Sequence, residues 1–102
     1  MQIMNEERLN KSVFERIISV LKKHNAERIA LFGSYARGEE TEKSDIDILV
    51  RFTFPKSLLE LVRIEDELKS VLNKNGDLIT EKSVSPYLTD SIHRDELVIY
   101  GK

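Results

Sequence analysis

Cysteine is absent from the 102 residues of this chain. That excludes disulfides and thiolate metal sites, and it favours an intracellular, cytoplasmic setting. Proline and glycine are scarce, at two and four residues, so the chain reads as a compact, well-solvated globule and not a disordered one. No apolar run approaches the ~20 residues of a membrane span. The first seven residues, Met1 to Glu7, lack a basic stretch followed by an apolar one, so no signal peptide is expected. Basic residues are not in excess: the net charge is −2, and direct nucleic-acid binding, which draws on a basic domain or stripe, is not expected. Internal repeats, low-complexity tracts and a linker are also missing.

What is present is a 40% hydrophobic, 33% charged chain, long enough for one core and read as a single domain over residues 1–102. Residues 6–24 carry Leu9, Val13, Ile17, Val20 and Leu21 at helical spacing, with Phe14 at the edge of that face. Glu6 and Glu7 fall in the first turn of this expected helix, and Lys22, Lys23 and His24 in the last, which suits the helix dipole. Asn25 is a plausible stop. Residues 28–32 form a short apolar run, read as a strand buried on both faces.

Gly33 and Ser34 break that run. Ser34 is expected to cap a short helical turn closed by Gly38. Residues 39–43 read as an exposed loop. Residues 45–52 predict a second strand, ended by Pro55. In residues 58–72, Leu58, Leu61, Ile64, Leu68, Val71 and Leu72 make a core stripe of a second helix. The Asn73-Lys74-Asn75-Gly76 stretch breaks it, and residues 77–80 predict a short third strand. Ser85-Pro86 starts a third helix running to about His93. Residues 97–100 read equally as strand or helical tail. The expected class is α+β, a small sheet flanked by helices.

Two segments carry chemistry. Side chains alternate along a strand, so Asp45 and Asp47 are expected on one face, about 7 Å apart, with Ile46, Ile48 and Val50 turned to the core. Two such carboxylates repel each other unless a cation sits between them. An oxygen-only donor set suits a hard ion, Mg²⁺ or Mn²⁺, and Mg²⁺ commonly shares its shell with substrate phosphates. A lone D-x-D is more often a turn residue beside a solvated one. The turn upstream changes that balance. Gly33 lets backbone approach a ligand, Ser34 offers a hydroxyl and free N–H groups, and Arg37 supplies a cationic fork for phosphate oxygens. The segment is neither a Walker A loop nor a dinucleotide fingerprint. A second metal ion calls for a third carboxylate. Asp77 supplies it if its strand neighbours that of Asp47; a simple turn role is the rival.

Gly33-Ser34-Tyr35-Ala36-Arg37-Gly38, then Ser44-Asp45-Ile46-Asp47-Ile48-Leu49-Val50, then Gly76-Asp77-Leu78-Ile79-Thr80 resemble the minimal nucleotidyltransferases of the DNA polymerase beta superfamily. The resemblance implies that superfamily's palm, a small mixed sheet flanked by helices. It implies that Gly33 and Ser34 hold the β and γ phosphates of ATP, assisted by Arg37. Asp45 and Asp47 would bind two Mg²⁺ ions (Mn²⁺ being possible), and Asp77 would bind one of them and help deprotonate an acceptor hydroxyl. Gly76 departs from the family pattern, which often has a β-branched residue there.

Small members of this family resemble antitoxins paired with HEPN-domain toxins. The implied reaction is transfer of AMP from ATP to a tyrosine hydroxyl of the HEPN partner, with pyrophosphate leaving. Alternatives are an antitoxin that acts by docking alone, a transferase for a small-molecule acceptor, and a D-x-D sugar-nucleotide transferase. A homo-oligomer is left open. His24 and His93 read as solvated helix-end residues. Tyr35 either packs near the nucleotide or is partly exposed. Tyr87, Leu88 and Leu59 could form an apolar partner patch, with ordinary packing the default.

Overall fold

The apolar positions at helical and strand spacing sort the chain into elements before any long-range contact is considered, and the folded structure keeps that order. The structure, a computed structural model, describes residues 2–41 and 43–101. The side chains of residues 2–10, 88 and 91, Leu9 and Leu88 among them, lie outside the description. In chain order the elements are α1 (Gln2–Lys23), β1 (Ala26–Phe32), α2 (Ser34–Arg37), β2 (Ile46–Phe52), α3 (Leu58–Leu72), β3 (Gly76–Thr80), a 3₁₀ turn (Glu81–Ser83), α4 (Pro86–Asp95) and β4 (Leu97–Tyr100).

Among the described residues the strands form one mixed sheet in the order β3-β2-β1-β4. β1 pairs antiparallel with both β2 and β4, and β2 pairs parallel with β3. Residues 97–100 are thus an edge strand, which settles the ambiguity at that end of the chain. Alternation along the strands gives the sheet two faces. One presents Ile29, Leu31, Ile46, Ile48 and Val50, all with no solvent exposure, to Ile17 and Leu21 of α1 and Ile64 and Leu68 of α3. At about 1.5–3 kcal/mol per fully buried aliphatic side chain, this layer is the main source of stability. The other face presents Ala30 and Leu49, covered by Ile92 of α4, with Phe32, Ile79 and Val84 alongside.

Several local expectations are corrected. α1 begins at Gln2, so Glu6 and Glu7 sit a turn inside it and its first turn holds no acidic residue. It ends as expected: Asn25 adopts a left-handed φ of 71°. Ser34 is not a cap; Gly33 holds the N-cap position and Ser34 is the first helical residue. Leu58 and Val71 do not belong to the core stripe of α3. Leu58 is 78% exposed and Val71 is also exposed, while Ile64, Leu68 and Leu72 are buried. Leu58 is the first helical residue, behind the Ser57–Glu60 capping box, before the helix has turned its apolar face onto the sheet. His24 is not a solvated end residue either: its Nε2 lies 2.9 Å from Glu67 Oε1, and Lys23 pairs with the same carboxylate, joining α1 to α3. His93 is exposed, 3.6 Å from Glu96.

Candidate active site

Cross-strand pairing turns three separate sequence segments into one row. Phe32, the last residue of β1, stands opposite Asp47 of β2, and Asp47 stands beside Asp77 of β3 in the parallel register. The apolar row Ala30–Leu49–Ile79 lies one pleat deeper on the same face. The two aspartates therefore sit at the end of the sheet where the hydrophobic cover stops. The condition set by the sequence, that the strand of Asp77 neighbour that of Asp47, is met.

The carboxyls of Asp47 and Asp77 are close enough to share a hydrogen bond. Partial burial pushes the Asp47 carboxyl above the ordinary carboxylate range, and the charges of Asp77 and Asp45 push it further; Arg37 opposes this more weakly. A cation placed between the two carboxyls would offset that repulsion. Asp45 departs from expectation. It is exposed and precedes β2, which begins at Ile46, so strand alternation does not govern its direction. Its charge is felt at Asp47, yet among the described residues no three acidic or histidine side chains are gathered to hold a metal ion. The donors fit a hard divalent cation in kind, and Asp47 and Asp77 fit it in placement. Asp45 stands on the loop just before β2, near enough for its charge to act on Asp47.

Gly33 closes the other side. Its φ of 71° and ψ of −149° suit glycine alone among common residues. A Cβ there would overlap Asp47 Oδ2. The turn can lie against the aspartate only because that position carries no side chain. The backbone then folds into α2, with Arg37 N–H donating to Gly33 O at 3.2 Å and Glu39 N–H to Ser34 O at 2.9 Å. Gly38 ends the turn in the left-handed region, as expected. Tyr35 is buried in the main core and is not a partly exposed aromatic. Arg37 is half exposed; it pairs with Glu39 and lies 3.9 Å from Asp95 at the end of α4. The hydrogen bond to Glu39 strengthens its hold on its proton, and Asp95 and Asp47 add to that. The charge of Asp47 is felt at Arg37, while the carboxylates of Glu39 and Asp95 engage its guanidinium.

Sequence reasoning missed two residues that organise this region. Phe32 flanks Asp47, and no local pattern marks it. Lys74 bridges the motif segments through backbone carbonyls more than 25 residues away, and nothing in its neighbourhood in the chain announces that. Leu59 and Tyr87 are 61% and 95% exposed, so ordinary packing does not account for them.

Comparison with known proteins agrees with this geometry. Residues 15–102 match the family model described as polymerase beta, nucleotidyltransferase. The chain is similar to a Methanocaldococcus jannaschii protein provisionally named a protein adenylyltransferase, with 53% identity over 77 residues, covering 76% of this chain and 83% of that one. It is also similar to the protein adenylyltransferase MntA of Thermococcus cleftensis, 37% identical over 91 residues, covering 84% and 90% of the two chains. A crystal structure of a toxin–antitoxin with AMP-PNP superposes with a TM-score of 0.79 at 27% identity, covering 87% of this chain and 73% of that one. The expected mixed sheet flanked by helices is the observed one, and the chain belongs to the polymerase beta nucleotidyltransferase family, as a nucleotidyltransferase.

Proposed function

We propose that the chain is an Mg²⁺-dependent protein adenylyltransferase that moves AMP from ATP to a tyrosine hydroxyl of a HEPN-domain toxin, and so serves as its antitoxin in the cytoplasm. The observation that carries this reading is the Phe32–Asp47–Asp77 row with Gly33 set against the Asp47 carboxylate. It sets a backbone turn free of a side chain directly beside two neighbouring carboxylates. Likeness to named protein adenylyltransferases supports the chemistry. Likeness to a toxin–antitoxin solved with AMP-PNP supports the antitoxin role and an adenine nucleotide. The HEPN class of partner rests on the motif resemblance. Among the described residues no helix is long and apolar enough to cross a membrane.

Asp45, Asp47 and Asp77 would hold two Mg²⁺ ions, with Mn²⁺ an acceptable substitute. Bound there, the metal supplies positive charge to the phosphate oxygens and the attacking oxygen. The α2 backbone and the Ser34 hydroxyl hold the β and γ phosphates, and Arg37 assists after leaving Glu39 and Asp95. Asp77, exposed at the rim, takes the proton of the acceptor hydroxyl. The acceptor oxygen then bonds to the α-phosphorus while the bond from that phosphorus to the bridging oxygen breaks, and pyrophosphate leaves. The partner has to bring the acceptor to Asp77, which is open to solvent.

The test uses ATP labelled in turn at the α and γ phosphates, with Mg²⁺ and a HEPN-domain partner. The α label should appear on the partner's tyrosine and the γ label should not. Asp47→Asn should lower transfer by at least about a hundredfold, in keeping with loss of a metal-holding carboxylate. No label on the partner, together with full neutralisation by Asp47→Asn, would replace this reading with docking alone.

A further inference from the structure

Asp45 presents a difficulty that the carboxylate row does not resolve. It lies on a loop with no strand to fix it, yet a metal site needs it held. The loop is not slack. Ser44 N–H donates to Thr41 O at 3.0 Å, and Thr41 N–H donates to Ser44 Oγ at 2.8 Å. Lys74 reaches this folded turn from outside it. Lys74 Nζ lies 3.4 Å from Thr41 O and 3.4 Å from Ser44 O, the carbonyl that joins directly to Asp45. The same ammonium sits 5.4 Å above the ring centre of Tyr35. Tyr35 is buried and immediately follows Ser34 in α2. Lys74 itself is half-buried in the connection from α3 to β3, three residues before Asp77. Its neighbour Asn75 accepts the N–H of Ile46 at 3.1 Å, pinning the first residue of β2.

We infer that Lys74 is a positioning residue, whose ammonium locks the Asp45 loop, the Gly33–Gly38 turn and the approach to Asp77 into one unit. The chemistry suits lysine. Its three N–H donors can reach two carbonyls and an aromatic face that lie in different directions, which the flat fork of arginine cannot do equally well. Each contact is long and weak alone. Together they tie the carbonyls on both sides of the Asp45 loop's turn to the α3–β3 connection and to α2. The link to metal binding rests on the carboxylate reading proposed above; the anchoring of the loop does not.

The experiment compares wild type, Lys74→Met, which keeps most of the stem and loses the charge, and Lys74→Arg. Amide hydrogen exchange is followed in metal-free protein, Mn²⁺ binding is measured by electron paramagnetic resonance without nucleotide, and thermal unfolding is recorded. In Lys74→Met the amides of Thr41, Ser44 and Ile46 should exchange several-fold faster while those of Ile17, Ile64 and Leu68 stay unchanged. Mn²⁺ binding should weaken by about tenfold, the usual cost of losing a residue that orients metal ligands, and Lys74→Arg should recover part of both. Unchanged exchange at Thr41, Ser44 and Ile46 overturns the inference. So does a rise spread evenly over the molecule in step with a lower melting temperature, which would make Lys74 a contributor to overall stability and nothing more. If wild type binds no Mn²⁺, the carboxylate reading fails, and the exchange data still decide the anchor.

Discussion

Asp47 shows how one residue can weaken a fold and still be the part most needed for chemistry. Burial, then Asp77 and Asp45, raise its pKa in the folded chain above the ordinary 3.8. The unfolded chain, with its ordinary value, gives up its proton first as pH rises. Stability is therefore fullest below the unfolded value, falls as pH climbs toward the folded value, and stays reduced above it. Asp47→Asn removes that penalty and lets an amide donate to Asp77. Without metal, the variant should melt at a higher temperature than wild type at pH 7.5, and the gap should close near pH 3.5. A calorimetric scan showing the variant less stable at pH 7.5 would contradict this account.

The elements that carry the site are held by short-range devices of ordinary strength. α3 opens with a capping box in which Ser57 and Glu60 each accept the other's backbone N–H at 3.2 Å. β3 is an edge strand, and such strands leave backbone donors open on one side. Here Glu65 of α3 reaches across and accepts the N–H of Leu78 at 3.1 Å. That bond secures β3 one residue beyond Asp77. Glu65→Ala should cost about 1.5–3 kcal/mol, the range for a hydrogen bond to a charged acceptor, and should speed exchange of the Leu78 amide more than that of residues in β1. Equal exchange at Leu78 in both proteins would show that the bond does not hold the edge.

The length and breaks of α3 were readable from its period and its Asn-Gly signal. Its exposed Leu58 was not, because periodicity cannot say at which residue a helix meets the sheet.

Across the whole molecule, an ion network ties the second layer to the sheet. Arg28 and Arg51 stand opposite each other on β1 and β2, a repulsive pairing unless acids intervene. Glu81 answers both, at 3.2 Å from Arg28 and 3.5 Å from Arg51, and Glu96 pairs with Arg28. Arg28 is buried, so its partners join the 3₁₀ turn and the end of α4 to the sheet. Arg28→Met should destabilise by about 3 kcal/mol in urea unfolding, the low end for stranding the partner of a buried ion. Adding Glu96→Gln should restore part of that, since the stranded charge is the main cost. If the double variant is weaker still, packing and not charge explains the loss.

The sequence alone determined the elements and their chemistry, because periodicity, caps and breaks are local: the apolar run of β1, the Gly33 turn, the acidic pattern at the start of β2, the Ser85-Pro86 helix start. It also determined the family, through the order of three short motifs. Tertiary structure decided what those pieces do together. Strand order and register are set by distant partners, so only the fold could put Asp77 beside Asp47 and leave Asp45 before the strand on a loop. Ser34 lost its expected capping role because Gly33, pressed against Asp47 Oδ2, already occupies that position. Lys74 gained a role for the same kind of reason: its acceptors are carbonyls, which every residue has, so no residue type in the sequence could mark them.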